Sequence, residues 1–189
     1  GVEADDVIAT LASHASAHGV RTLISSGDKD LTQLVDAQVT MVNTMSNETF
    51  DEAAVLAKFG VRPDQIVDYL TLIGDSVDNI PGVDKVGPKT AAKWLQEYGS
   101  LDAIVAHADE IGGKVGENLR KHLDFLPLGK KLVTVVCDLA LPVKVEDLAP
   151  QPPDKDKLAE LFARLEFKTW LRELQGDTPS PPAGEGAGV

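Results

Sequence analysis

The sequence predicts an α/β protein in which a short parallel sheet flanked by helices leads into an all-helical region. Three observations carry that prediction. Residues 1–49 run in the order helix, strand, helix, strand, which favours a parallel layer. Asp28 and Asp30 fall just beyond the end of the first strand, where open α/β sheets place their ligands. From Phe50 onward the pattern turns helical, punctuated by Gly and Pro.

The elements follow in order. "EADDVIATLASHASAHG" carries Val7, Ile8, Leu11, Ala12 and Ala15 at helical spacing and stops at Gly19, a natural C′ residue. Val20 to Ser25 reads as a short buried strand, "LTQLV" as a short helix and "QVTMVNT" as a second strand. "TFDEAAVLAKFG" has a cap at Thr49 or Asp51 and ends at Gly60; "RPDQIVDYLTLIGD" starts near Pro63. "GPKTAAKWLQEYG" begins with Pro88 and ends at Gly99, and "LDAIVAHADEI" and "GENLRKHLDFL" continue the helices. "LVTVVCDL" is β-branched and reads as a strand returning to the sheet. "DKLAELFARLEFKTWLREL" reads as one amphipathic helix with Leu158, Leu161, Phe162 and Leu165 on a face. The Pro/Gly-rich end is a linker. The expected division is residues 1–49, part of an α/β core; 50–130, a helical hairpin subdomain; 131–174, a return strand and C-terminal helix; and 175–189, the linker.

The chain has 189 residues, 43% of them hydrophobic, which suits a soluble globular protein. No apolar run approaches the roughly 18 residues of a membrane span. The single cysteine, Cys137, cannot form an internal disulfide and reads as a buried thiol suited to a reducing cytoplasm. Because the chain opens at Gly1 directly into a helical pattern, it is expected to be a piece of a longer protein. The net charge of −12 argues against nucleic acid as a partner, since phosphate binding draws on cationic surface. Acids gathered around a metal would reverse that argument locally.

Three acidic clusters stand at element edges: Glu3, Asp5 and Asp6; Asp28 and Asp30; Asp75 and Asp78. Glu3 is expected to precede the first helix and Asp6 to lie in its first turn, while Asp75 and Asp78, three apart, would share a helical face. Each cluster has a structural alternative: acids favour helix starts, and Asp-rich turns form Asx turns. Neither zinc-like Cys/His spacing nor an EF-hand loop is present. Oxygen-only ligands favour Mg²⁺ or Mn²⁺. Carboxylates converging on strand ends suit two-metal phosphoryl hydrolysis, with the ions about 4 Å apart.

"IPGVDKVGPKTAAKWL" follows the third cluster at once. Gly82 and Gly87 would permit backbone conformations that a side chain blocks, and Val83 and Val86 would anchor the turn. Lys89 and Lys93 share a helix face, with Lys85 in the approach and Thr90 in the first turn. Amides after Gly87 form a helix start that attracts anions. A Walker A loop is excluded, because its GK[ST] ending is absent. The framed Val-Asp-Lys-Val and the Pro-Lys-Thr-Ala-Ala that follows resemble the helix–hairpin–helix family of DNA-backbone binders. The four residues between the glycines are similar to the longer helix–three-turn–helix form of 5′ nucleases.

"GVEADDVIATLA", "LISSGDKDLTQLV", "VNTMSNETF", "LIGDSVDNIPGVDKVGPKTA" and "LFARLEFKTWL" occur in the order found in the 5′-nuclease domains of bacterial DNA polymerase I. The resemblance covers about residues 1–174, and its last motif favours the polymerase-linked form. It implies a partial Rossmann-like, PIN-like sheet with a helix–three-turn–helix DNA-binding subdomain. It implies a bacterial, cytoplasmic enzyme of replication and repair that cuts 5′ flaps and removes RNA primers, with polymerase domains beyond the linker. Glu3 and Asp5 would serve a first Mg²⁺ or Mn²⁺, and Asp6, Asp28, Asp30, Asp75 and Asp78 a second. Gly82, Val83, Lys85, Val86, Gly87, Lys89, Thr90 and Lys93 would grip duplex DNA, with a K⁺ on the turn's carbonyls, and Gly27 would shape the turn before Asp28. The resemblance places the start of the domain about a hundred residues before Gly1. An aspartate-bearing first strand, a further metal aspartate and a basic helical arch would lie there, so the chain alone is expected to be inactive or weakly active. Two other readings compete: a non-catalytic DNA-binding module, and a Mg²⁺ phosphohydrolase acting on a small substrate. The three ordered acid clusters favour the nuclease over the first, and the hairpin favours it over the second. Removing the seven candidate site acids from the charge count leaves −5.

Overall fold

The computed structural model describes residues 2–176, which fall into two compact units that divide between Asp147 and Leu148. In the first, helix α1 (Ala4–Ala17) ends in a Schellman arrangement. His18 closes the helix, Gly19 takes φ +69°, the Gly19 N–H donates to Ser16 O and the Val20 N–H to Ala15 O, both at 2.9 Å. Strand β1 (Thr22–Ser25) pairs in parallel with β2 (Val39–Asn43), and β2 pairs antiparallel with β3 (Glu48–Phe50). The parallel pair matches the expectation. The antiparallel β3 is additional: of the two expected caps, Thr49 lies within this strand and Asp51 starts the helix. β1 is also less buried than expected, because only Ile24 is fully covered while Leu23 stays 66% exposed at the sheet's edge.

Between β1 and β2 a 3₁₀ turn, Lys29–Leu34, packs on α1, and its Leu31 is completely buried. Helix α2 (Glu52–Phe59) is capped by the Asp51 carboxylate, which accepts from the Ala54 N–H at 2.8 Å, and closes on Gly60. A short turn at Pro63–Gln65 leads into α3 (Ile66–Ile73). Helices α4 (Pro88–Tyr98), α5 (Leu101–Ala106), α6 (Gly113–His122) and α7 (Leu126–Val133) complete the helical part. The core runs continuously from Leu31, Val39 and Met41 through Leu70 and Leu72 to Leu95, Ile104 and Leu119. Sheet layer and helices therefore share one apolar interior. Asp68 and Gln65 are buried inside it with their polar atoms answered. Asp68 accepts from the Leu101 N–H and pairs with Lys130, each at 2.9 Å; Gln65 donates to Leu95 O and Gly99 O.

The expected return strand is absent. Leu126–Val133 is helical, with Pro127 in its first turn; Thr134 is extended, and the residues after it take no regular secondary structure and join no sheet. Side chains satisfy this segment instead. The Val135 N–H donates to Gln33 Oε1 (3.1 Å), the Val136 N–H to Asp6 Oδ1 (2.9 Å) and the Leu139 N–H to Thr10 Oγ1 (3.2 Å). The segment bypasses the open edge of β1, because these side chains from α1 and from the turn after β1 take its N–H groups and strap it across α1. Cys137 is consequently half-exposed on that strap rather than buried.

Within residues 148–176, the single long helix expected from periodicity is two, α8 (Lys155–Arg164) and α9 (Lys168–Gln175). Glu166 takes φ +58°, the Phe167 N–H donates to Phe162 O at 2.8 Å, and the reversal stacks Phe162, Phe167 and Trp170 with centroids 4.8–6.3 Å apart. Aromatic clustering thus outweighs helix continuity. Of the expected linker, Gln175 and Gly176 end α9 and the remainder lies outside the described residues. No helix among the described residues is long and apolar enough to cross a membrane.

At the end of α3, Gly74 (φ +73°) opens a two-residue antiparallel pairing of β4 (Gly74–Asp75) with β5 (Ile80–Pro81). The returning backbone passes so close that a Cβ on Gly82 would lie 2.2 Å from Ile73 C and 2.4 Å from Gly74 N. Gly87 differs from the expectation: its φ is −104° and a Cβ would meet nothing within 4 Å. Gly82→Ala should therefore lower stability in urea unfolding by about 3 kcal/mol or more, beyond the usual overpacking range. Gly87→Ala should stay within about 0.5 kcal/mol of the parent.

Candidate metal centre and nucleic-acid interface

Two turns build the acidic cleft. After β1, the Ser26 N–H donates to Val42 O and continues the parallel ladder, and Ser26 Oγ accepts from the Asp28 N–H (3.0 Å each). Asp28 Oδ1 then caps the 3₁₀ turn by accepting from the Asp30 N–H at 2.9 Å. The structural alternative thus holds for one oxygen of Asp28, and the turn it forms aims Asp30 inward. Gly27 takes no left-handed φ, and a Cβ there would rest at an ordinary 3.6 Å from Asn43, so the turn does not require glycine. Asp75 arrives from β4, with Asp75 Oδ1 accepting from the Val77 N–H at 2.8 Å. α3 has already ended at Ile73, so Asp75 and Asp78 do not share a helix face as expected. The β4–β5 hairpin brings them together by another route.

Asp30, Asp75 and Asp78 each offer an oxygen within 4.8 Å of the others, a group able to hold a metal ion. Asp30 Oδ1 is fully buried and has no hydrogen-bond partner. A buried carboxylate oxygen that accepts no hydrogen bond is costly in a folded protein and fits a cation ligand. The cleft, about 240 Å³, is lined by Gly27, Asp28, Lys29, Asp75, Val77 and Asp78. Lys29 was not singled out from the sequence. Its Nζ is bonded to Asp75 Oδ2 and lies 3.5 Å from Asp30 Oδ1. The signal was its place between two acids in Asp28-Lys29-Asp30.

Electrostatics separates these groups. Burial pushes Asp30 up to about 6; the Asp28 and Asp75 charges add to this and Lys29 only partly offsets it. Burial also acts upward on Asp75, but its bond to Lys29 and the Val77 N–H outweigh it and hold the carboxyl below the ordinary range. One lysine thus favours the carboxylate it bonds over the one it merely approaches. Lys29 itself is raised, its desolvation outweighed by the Asp75 bond and the neighbouring acids. Asp5 is raised by burial and then by Asp28, Glu3, Asp6 and Asp78, which places the start of α1 beside the same cleft.

Glu3 occupies the N-cap position in extended backbone, as expected, yet its side chain caps no amide. Asp5 and Asp6 lie in the first turn. Asp6 is outside the group of three and spends Oδ1 on the Val136 N–H. It ties the strap to α1.

The hairpin stands on buried Val83 and Val86, as expected. The Val83 N–H donates to Leu72 O and the Val86 N–H to Val83 O (2.9 Å each), with Lys85 held at φ +65°. A non-glycine residue in that conformation costs roughly 1–2 kcal/mol. Asn118, another residue that the sequence did not reveal, donates to Asp84 O at 2.7 Å and fixes the turn to α6. At the start of α4, Thr90 and Ala91 N–H both donate to Gly87 O (3.0 Å), and Pro88 has none. The Gly87 and Lys89 amides have no partner among the described residues. Lys85, Lys89 and Lys93 are exposed, and Lys89, Thr90 and Lys93 line a cleft of about 510 Å³ together with Glu97, one turn further along α4, and Glu110.

Residues 1–60 match the family model described as the 5′-3′ exonuclease N-terminal resolvase-like domain, and residues 61–156 match that of the 5′-3′ exonuclease C-terminal SAM fold. A 5′-3′ exonuclease of Aquifex aeolicus is 42% identical over 174 residues, 92% of this chain and 59% of that protein. A DNA polymerase I of Mycobacterium leprae is 43% identical over 89% of this chain and 19% of the polymerase. The chain thus spans about three fifths of the exonuclease and a fifth of the polymerase. In shape it is similar to a bacteriophage T5 flap endonuclease in a pseudo-enzyme-product complex with DNA and metal ions. The TM-score is 0.67 at 20% identity, over 94% of this chain and 60% of that one. A T5 5′-exonuclease with bound zinc ions gives 0.66 at 24% identity, over 72% and 51%. These structures speak to the fold.

An acid raised in the folded state costs stability once ionised; the cost is absent below about pH 4 and full above about pH 6 for Asp30. Asp30→Asn should therefore stabilise the metal-free chain by about 1–2 kcal/mol at pH 8. The gain should fade as the pH falls toward 5, read by thermal unfolding in chelator.

Proposed function

The chain belongs to the 5′-3′ exonuclease family, and from that premise we propose that its acidic cleft and its hairpin serve divalent-cation-dependent hydrolysis of a DNA or RNA-primer phosphodiester at a 5′ end or 5′ flap. The observation that carries the reading is the convergence of Asp30, Asp75 and Asp78 around a buried oxygen that accepts no hydrogen bond. All-carboxylate oxygen donors suit Mg²⁺ or Mn²⁺. When bound, such ions supply an activated water and neutralise charge on the leaving oxygen. Asp30, Asp75 and Asp78 would form the innermost group, with Asp28 on the rim. Glu3 and Asp5 would contribute from the start of α1, and Asp6 would position that helix through the strap.

The hairpin would hold the duplex. Lys85, Lys89 and Lys93 supply cationic contacts, the Gly87 and Lys89 amides face a phosphate, and Thr90 adds a hydroxyl. Gly82, Val83 and Val86 hold the turn's shape. A K⁺ on this turn would share Val83, Asp84 and Gly87 carbonyls that already accept hydrogen bonds. We retain the division into residues 1–49, 50–130, 131–174 and 175–189 as functional segments, without the strand in the third. We also place the chain within a bacterial, cytoplasmic DNA polymerase I of replication and repair.

The test is cleavage of a 5′-flapped duplex in Mg²⁺ by the chain, alone and extended with the N-terminal portion expected from the family resemblance. Asp75→Asn and Asp28→Asn should each cut the rate at least about 10²-fold, the scale of losing one transition-state anchor. Intact cleavage in both variants would remove the catalytic assignment of these carboxylates, and duplex binding without cleavage by the extended parent would leave a DNA-binding module. Lys89→Ala should weaken duplex binding and lower the slope of log K against log salt by about one.

A further inference from the structure

We propose that Lys29 is the built-in counter-ion of the carboxylate cluster: it bridges Asp75 and Asp30 in the metal-free protein and is expelled when a divalent cation binds. Metal loading is then an exchange of cations. The inference rests on the metal-centre reading above and adds a residue to it.

Position makes the first case. The Lys29 ammonium bonds Asp75 Oδ2 and lies 3.5 Å from Asp30 Oδ1, between two of the three carboxylates that converge. A divalent cation ligated by both would stand about 2.0–2.6 Å from each oxygen. It would occupy the space that the ammonium now fills. The two cations exclude each other by volume as well as by charge.

Mobility makes the second. The backbone of Lys29 belongs to the 3₁₀ turn pinned by fully buried Leu31, so the turn stays in place. The side chain is 39% exposed at the cleft's mouth and can swing into solvent on its four-carbon stem. Lysine suits this task, because an ammonium leaves as a point charge where a bidentate guanidinium would hold on.

The probe is Mn²⁺ added to the whole chain, with binding followed by calorimetry and lysine reactivity by acetylation and mass spectrometry. Lys29 should become several-fold more reactive as Mn²⁺ saturates, while Lys58, paired with Glu48, should not change. Lys29→Met should bind Mn²⁺ about tenfold more tightly, the loss of a competitor worth roughly one charge-assisted hydrogen bond. Its metal-free form should melt lower than the parent, and the difference should close in saturating Mn²⁺. Binding in the parent with Lys29 reactivity unchanged or reduced overturns the exchange and leaves the metal centre standing. Weaker binding by Lys29→Met does the same, since Lys29 would then be organising the site. Absence of Mn²⁺ binding in the parent overturns the metal centre and the exchange together. Should Lys29→Met not fold, the labelling of the parent decides alone.

Discussion

Like charges gathered in one cleft repel, and the rest of this structure is arranged around keeping them there. At about 4 Å and an effective dielectric of 20, each pair of carboxylates opposes the other by about 4 kcal/mol. That exceeds what an exposed ion pair returns, so the acids converge only because their backbones are held by other means. Leu31 fixes the turn that carries Asp28 and Asp30, and Gly74 and Gly82 fix the hairpin that carries Asp75. Burial first, and then this repulsion, raises Asp30, and Lys29 stands in the gap between Asp30 and Asp75.

The β4–β5 hairpin ties the acidic and basic parts of the molecule into one rigid piece. Asp75 lies in its first strand, and Val83 to Val86 follow its second. The close passage of Gly82 over Ile73 and Gly74 means that the lysine-bearing turn cannot shift without moving Asp75. Asn118 and the buried valines hold the turn from the other side. A duplex gripped at Lys85, Lys89 and Lys93 would thus keep a fixed offset from the carboxylates. Such an offset is what a nuclease needs to cut at one place along a strand.

Local signals made much of this legible in the sequence. Gly19, Asp51, Gly60, Pro88 and Gly99 mark helix ends through their own conformational chemistry, and the structure ends its helices there. The parallel β1–β2 pair followed from element order, and the acid clusters from their place at element edges. What was not legible depended on contacts distant in sequence. "LVTVVCDL" has strand composition, but Asp6, Thr10 and Gln33 take its backbone in place of a sheet. "LFARLEFKTWL" has helical periodicity, but three aromatics fold it back at Glu166. Asp75 and Asp78 converge as anticipated, by a hairpin rather than a helix, because i,i+3 spacing describes a face only where the helix continues.

Net charge was the strongest sequence argument against nucleic acid, and the structure changes its weight. A total of −12 averages over the molecule, whereas a phosphate backbone responds within roughly a Debye length, about 8–10 Å. Three acids of the cleft converge on one another and two of them on Lys29, while Glu97 and Glu110 line the second cleft with Lys89 and Lys93. The exposed lysines of the turn stand on backbone that offers unpaired amides. Divalent cations in the acidic cleft would turn its sign toward the same partner. The acidic total and a polyanionic substrate are therefore compatible, provided that the acids are read as a place for cations and not as a surface.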